Sequence, residues 1–240
     1  MSGIDSILPI VLIYEEKGWT EKTVQCLINA GFQEEQIVYA NRDGVGNMSR
    51  AFNSAVGKSF SLFQDKIDDL NFILGKKFIW FLTNVEFPPE MPLSLLSAFD
   101  SETAIVHPAF DSEHPHLTQA FGVVPDVPFI EWTAPMVRTS VFQELGGLDE
   151  RLPYWGMDLH FSHQCRERGY CLKVDGRYRL KHNYLRVHSP EKISQIRKEL
   201  RYLYDKPTEE RLIEIYGEDY LSVIWPTHPL VQRGIKRIHP

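Results

Sequence analysis

Residues 77–86 read KFIWFLTNVE. Five consecutive apolar side chains, Phe78 to Leu82, stop abruptly at Thr83-Asn84. The run is too short for a helix and has no polar alternation, so it predicts a strand covered on both faces. Two similar runs precede it, ILPIVLIY at 7–14 and QIVYA at 36–40. Between those two, Val24, Leu27 and Ile28 share one face of a predicted helix over 20–30, and Gly31 stops it. Between the second and third runs, Met48, Ala51, Phe52, Ala55 and Val56 fall at i, i+3, i+4, i+7 and i+8, a helix face. A further amphipathic helix is predicted over 59–74. The first ninety residues therefore read βαβαβ, which predicts a parallel sheet with right-handed crossovers. Ligands of such sheets bind at the carboxyl ends of the strands. That directs attention to the turns after Tyr14, Ala40 and Leu82.

Beyond residue 86 the pattern is less regular. TAIVHPAF at 103–110 predicts a strand, and 111–131 a proline-bearing excursion. His107, His114 and His116 flank prolines here and are read as loop residues. Ser140 and Gln143 form a capping-box pattern for a helix ending at Gly146. Residues 170–175 and 178–185 alternate as strands. Ser189-Pro190-Glu191 starts a helix with the stripe Ile193, Ile196, Leu200 and Leu203. A last helix follows Pro207, and the tail from Trp225 shows little periodicity. The expected organisation is an α/β domain over 1–188, with a helical extension over 189–240 packed on it.

Of the 240 residues 43% are hydrophobic, enough for one sizeable core, and the net charge of −6 offers no field for nucleic acid. Cys26, Cys165 and Cys171 fit neither a disulfide framework nor zinc spacing, which points to a reducing compartment. The apolar run at 7–14 is too short to cross a bilayer. A cytoplasmic protein without a transmembrane segment is expected.

The richest stretch for chemistry is GGLDERLPYWGMDLHFSHQCRERGY, residues 146–170. A glycine pair and an acidic turn lead to Trp155-Gly156, then to Asp158 where a helix ending at Gly169 should begin. An aspartate there suits either a helix N-cap or a base taking a proton from a hydroxyl that rests on the aromatic face. With IVLIYEE, GNMSRAFNSAV and FIWFLTNVEFPP, in this order and spacing, the stretch resembles inverting GT-A glycosyltransferases of the family 2 type, the group that includes bacterial rhamnosyltransferases.

The resemblance spans roughly residues 7–185 and implies a GT-A, Rossmann-like, mostly parallel sheet flanked by helices. It implies transfer of a sugar from a nucleoside-diphosphate donor, UDP- or TDP-linked, to a saccharide acceptor with inversion. Asp158 matches the family's catalytic aspartate, while Met157 stands where the family has a glutamate and His160 where an acidic residue follows. Tyr14 and Glu15 lie where relatives cradle base and ribose. Asn41 and Asp43 follow the second strand and suit the same donor contacts, Asp43-Gly44 equally suiting a tight turn, and Asn53 matches a frequent asparagine that contacts donor or loop backbone. Trp132, Trp155 and Gly156 suit the acceptor side, the tryptophans equally suiting core packing.

The family holds Mg²⁺ or Mn²⁺ with an Asp-x-Asp after the third strand. Thr83-Asn84-Val85 stand there, without either aspartate, and Thr83, Asn84 and Glu86 are expected on the donor side. Three arrangements remain open: Glu86, with His182, holds a weak cation site; Arg138, Lys181 or Arg186 replaces the ion; or nucleotide is bound without turnover, as in a non-catalytic sugar- or nucleotide-binding module. No organic cofactor is implied. A nucleotidyltransferase is disfavoured, because no glycine-rich basic signature opens the chain.

Overall fold

The computed structural model describes residues 3–13, 18–41, 47–61, 75–111, 121–153, 156–183, 206–234 and 236. Strand β1 (Ile7–Leu12) is buried at every position, as its unbroken apolar run requires. It pairs in parallel with β2 (Val38–Ala40), Ile10 opposite Val38, and with β3 (Phe78–Leu82), Ile7 opposite Phe78. Helices α1 (Trp19–Asn29) and α2 (Met48–Ser61) connect them. After β3 come the two-residue strand β4 (Val85–Glu86) and a short helix α3 (Met91–Ser97). Next are β5 (Thr103–Phe110), β6 (Val123–Val124), β7 (Met136–Arg138) and helix α4 (Thr139–Glu144). Helix α5 (Met157–Glu167) and strand β8 (Cys171–His182) follow. The sheet order is β2-β1-β3-β7-β5-β8-β4, with β6 on β8. β5 and β8 are parallel, whereas β7 runs antiparallel to both β3 and β5.

Several elements differ from expectation. β7 is three residues of a long connection, too short for a period to register. The two strands expected at 170–175 and 178–185 are one, its register shifted opposite Pro108/Ala109. His107 is no loop residue: it is fully buried in β5, where its Nε2 accepts from the Ala134 N–H. The cap of α4 is Arg138, with no side-chain hydrogen bond, so the Ser140/Gln143 box is not formed. Residues 62–74, His114, His116 and the start expected at Ser189 lie outside the described residues.

An aromatic cluster joins four elements. Phe52 of α2 meets Phe81 of β3 edge-on at 4.9 Å, Phe81 meets Phe142 of α4 and Trp132 at 5.3 Å each, and Trp132 meets Phe161 of α5 at 5.1 Å. Each such pair adds about 0.5–1.5 kcal/mol beyond area burial. The cluster fixes the start of α5 relative to the end of β3.

At the C-terminus, α6 (Lys206–Tyr216), α7 (Tyr220–Ile224) and α8 (Pro229–Gln232) bury Leu212, Tyr220, Leu221, Ile224 and Trp225. His228 is fully buried beneath Trp225, its Nδ1 accepting from Leu230 N–H at 3.0 Å. Burial, and secondarily the charge of Arg233, push its pKa down to about 4. The unfolded chain therefore binds an extra proton below the ordinary histidine pKa. This contribution to stability is intact above pH 6.5 and declines as pH falls to about 4, by roughly 3 kcal/mol. His228→Asn keeps an acceptor for Leu230 and removes the titration. Denaturant melts should show a flatter acid limb for the variant, and an unchanged limb would contradict this reading. Among the described residues, no helix is long and apolar enough to cross a membrane.

Candidate active site

The turn at the end of β3 is held from every side by protein groups. The Thr83 N–H and hydroxyl both donate to Thr133 O, at 3.0 and 3.1 Å. The Thr23 hydroxyl of α1 meets Thr83 O and Val85 O and accepts from Val85 N–H. The Asn84 side chain donates to Asn183 O, and its Oδ1 is bonded to His182 Nε2 at 3.0 Å. Glu86 accepts from Asn183 at 2.9 Å and Lys181 at 3.2 Å, with Lys22 at 4.0 Å. These donors hold its carboxyl below the usual range, the Asn183 bond foremost.

A second turn, Gly146-Gly147-Leu148-Asp149-Glu150, leads toward α5. Asn53 of α2 clamps it, donating to Leu148 O at 2.8 Å and accepting from Leu148 N–H at 2.9 Å. Gly147 has φ +85°, and a Cβ there would lie 2.7 Å from Asn53 Oδ1. Asp149 pairs with Arg151, and its Oδ2 lies 3.9 Å from His160 Nε2. The start of α2 is bound to the same connection: Met48 N–H donates to Pro153 O at 2.7 Å, and the Ser49 hydroxyl to Leu152 O at 2.6 Å.

Helix α5 begins at Gly156, a left-handed N-cap with φ 79°. Asp158 is therefore the second helical residue rather than the cap, and its Oδ1 accepts from Leu159 N–H at 2.9 Å. Burial, then the charge of Glu131, push its carboxyl up to about 7 against these backbone donors. Glu131 reaches this place through its neighbours. Ile130 N–H is bound by the hydroxyl of Ser162, one helical turn beyond Asp158, and Thr133 accepts from Thr83 at the end of β3. One short segment thus joins the strand-end turn to helix α5 and brings the Glu131 charge to the Asp158 carboxylate. A carboxyl with a pKa near neutrality is matched to exchanging a proton with a hydroxyl at working pH. Glu131 carries no sequence signal, being a lone acid in an aperiodic connection.

The extension closes over the same place. A Cβ on Gly156 would lie 3.0 Å from Thr208 and 3.3 Å from Leu212 of α6. His160 shares a hydrogen bond with the Tyr216 hydroxyl, and burial lowers its pKa.

These contacts place the expected residues. Gly156, expected beside an acceptor, is buried against α6. Trp132 is core, packed between Phe81 and Phe161. Asn53 grips the Leu148 backbone, the second of the two contacts expected of it. Thr83 and Asn84 serve the turn itself. Glu86 and His182 do not converge, because Glu86 is in register with Lys181, so adjacent His182 faces the other side of the ribbon. Arg138 lies at the opposite end of β3, in register with Phe78 and bonded to Thr103 O. It lines a cleft of about 530 Å³ there with Lys77 and Phe99. Asn41 is exposed at the end of β2. Tyr14, Glu15, Asp43, Trp155 and Arg186 lie outside the described residues.

A hard divalent cation is held by free carboxylate oxygens together with phosphate oxygens and waters. The turn after β3 presents a buried threonine, an amide and a buried valine, with one carboxylate already engaged by Lys181 and Asn183. This donor set does not fit such an ion.

No family model matches the sequence, and no curated protein sequence matches it. Solved structures do. GalNAc-T7 with UDP, GalNAc and Mn²⁺ superposes with a TM-score of 0.57 at 14% identity, over 93% of this chain and 51% of that one. The chain thus spans about half the length of that structure. S. aureus TarS 1–349 gives 0.54 at 11%, over 94% and 74%. The mannosyltransferase PcManGT from Pyrobaculum calidifontis, in complex with GDP-Man and Mn²⁺, gives 0.50 at 13%, over 95% and 74%. At such identities the likeness concerns architecture. The chain has the fold of GT-A glycosyltransferases: a mixed, mostly parallel sheet flanked by helices.

Proposed function

We propose that the protein transfers a sugar from a nucleoside-diphosphate donor to a saccharide hydroxyl with inversion, as the family 2 type does. The observation that carries this reading is Asp158, a half-buried carboxylate with a pKa near neutrality, tied through the 130–133 segment to the carboxyl end of β3. In the reaction the acceptor oxygen attacks the anomeric carbon from the face opposite the diphosphate. Its proton passes to Asp158. The bond from the anomeric carbon to phosphate oxygen breaks, and the nucleoside diphosphate leaves with the electron pair. Glu131 raises the basicity of Asp158, because a second carboxylate nearby disfavours its ionisation. The donor is UDP- or TDP-linked, and its nucleotide lies over the ends of β1 and β2, with Asn41 at the rim. The three free cysteines suit the cytoplasm.

Glu131→Gln should lower the Asp158 pKa and shift the acid limb of the kcat/KM profile to lower pH. Profiles measured between pH 5 and 9 check this, and an unmoved limb would remove Glu131 from the site. A second reading is favoured by the cation-poor turn: a non-catalytic module that binds nucleotide or sugar on the same scaffold. A thermal-shift screen of UDP-, TDP- and GDP-sugars, followed by product analysis with saccharide acceptors, separates the two. A donor at a hundred times its Kd stabilises the fold by about 2.7 kcal/mol. Binding with transfer supports the enzyme, binding without release of nucleoside diphosphate supports the module, and no binding contradicts both.

A further inference from the structure

We infer that the turn after β3 is a former divalent-cation site that lacks both carboxylates, Val85 standing where one of them would face His182, and that the donor diphosphate is bound at this turn without a metal ion. The second half of the statement rests on the proposed donor site; the first does not. In the antiparallel pair of β4 and β8, Val85 is directly opposite His182. Directly opposed residues carry their side chains on one face, with Cβ atoms about 4.5–5.5 Å apart, a separation a single ion can bridge. Val85 is fully buried, so the position is apolar and filled. His182 has been drawn into the protein's own bonding, with Nε2 on Asn84 Oδ1. The remaining carboxylate of the turn, Glu86, points to the other face, where Lys181 and Lys22 surround it. Those two lysines against one glutamate leave the turn with a net positive charge. Ammonium groups meet a phosphate oxygen by the same electrostatics as an ion, without the ion's need for anionic ligands.

Mn²⁺ alone, followed by electron paramagnetic resonance, tests the lost site on the full chain. The native protein should show no saturable binding below about 1 mM, and His182→Ala should leave its signal unchanged. Val85→Asp should bind Mn²⁺ at least about tenfold more tightly, equivalent to 1.4 kcal/mol, and Val85→Asp/His182→Ala should lose that gain. A buried aspartate is costly without its ion, so Val85→Asp should also melt lower in EDTA and recover with Mn²⁺. Saturable Mn²⁺ binding by the native chain that His182→Ala abolishes would overturn the inference. So would a folded Val85→Asp that binds no more Mn²⁺ than the native chain. Should that variant fail to fold, the native and His182→Ala arms still decide. The diphosphate half is read by UDP titration in EDTA and in Mn²⁺: equal affinities are expected, and a rise above about tenfold with Mn²⁺ would overturn it. Absence of UDP binding in both solutions counts against the donor site, while the Mn²⁺ arms still decide the lost ligand.

Discussion

Asp158→Asn is expected to abolish transfer and, above neutral pH, to stabilise the protein. The kinetic half follows from the role of the carboxylate: a positioned general base contributes about 10²–10⁴-fold, and an amide of the same shape cannot take the proton. The stability half follows from its surroundings. In the unfolded chain the carboxyl titrates at about 3.8, and in the fold at about 7, because burial and Glu131 disfavour the anion. The folded state therefore binds the extra proton. The stability this gives is complete below pH 3.8 and is lost as pH rises through about 7. The full cost of ionisation is roughly 4 kcal/mol at most, and asparagine avoids it. Urea melts should coincide for the two proteins near pH 4 and diverge in favour of the variant by pH 8. A variant that transfers sugar at the native rate, or that is less stable at pH 8, contradicts the role of this residue.

The second large effect is expected at Gly147. Its φ of +85° is a conformation that costs an L-residue about 1–2 kcal/mol. An added methyl would also sit 2.7 Å from Asn53 Oδ1 and displace the side chain that holds both polar groups of Leu148. With about 1 kcal/mol for each of those two hydrogen bonds, Gly147→Ala should cost about 3–4 kcal/mol in denaturant melts. Asn53→Ala should cost about 2 kcal/mol by the same account. In a double variant the two changes should be strongly non-additive, since both act on one clamp. Additive losses would show that Gly147 and Asn53 act independently. Because this turn sets the entry to α5, Gly147→Ala should also slow transfer.

These contacts explain which features the sequence discloses. β1 and β3 are legible because strands buried on both faces have little choice but continuous apolar residues. α5 is legible because glycines bound it and its apolar face repeats. Asp158 stands out as an acid placed at a helix start. β7 could not be read, since three residues that complete the middle of the sheet carry no period. Glu131 is silent for another reason: its significance comes from Asp158, twenty-seven positions away, and from the Ile130–Ser162 bond that brings them together. The same holds for Asn53, whose match to a family asparagine could not distinguish a ligand contact from a grip on Leu148. At Thr83-Asn84-Val85 the sequence shows that carboxylates are missing. Only the pairing of Val85 with His182 shows what the replacement faces.

The proposed reaction requires that a nucleotide-linked sugar lie on the rim formed by the ends of β1, β2 and β3, with its reactive carbon toward Asp158. A crystal structure of the Asp158→Asn variant with the donor selected by thermal shift tests it most directly. The diphosphate should lie beside the turn after Leu82, near Asn84 and Lys181, with the anomeric carbon on the side of residue 158. Nucleotide bound instead in the cleft beside Phe78 and Arg138, or a sugar turned away from residue 158, would contradict it.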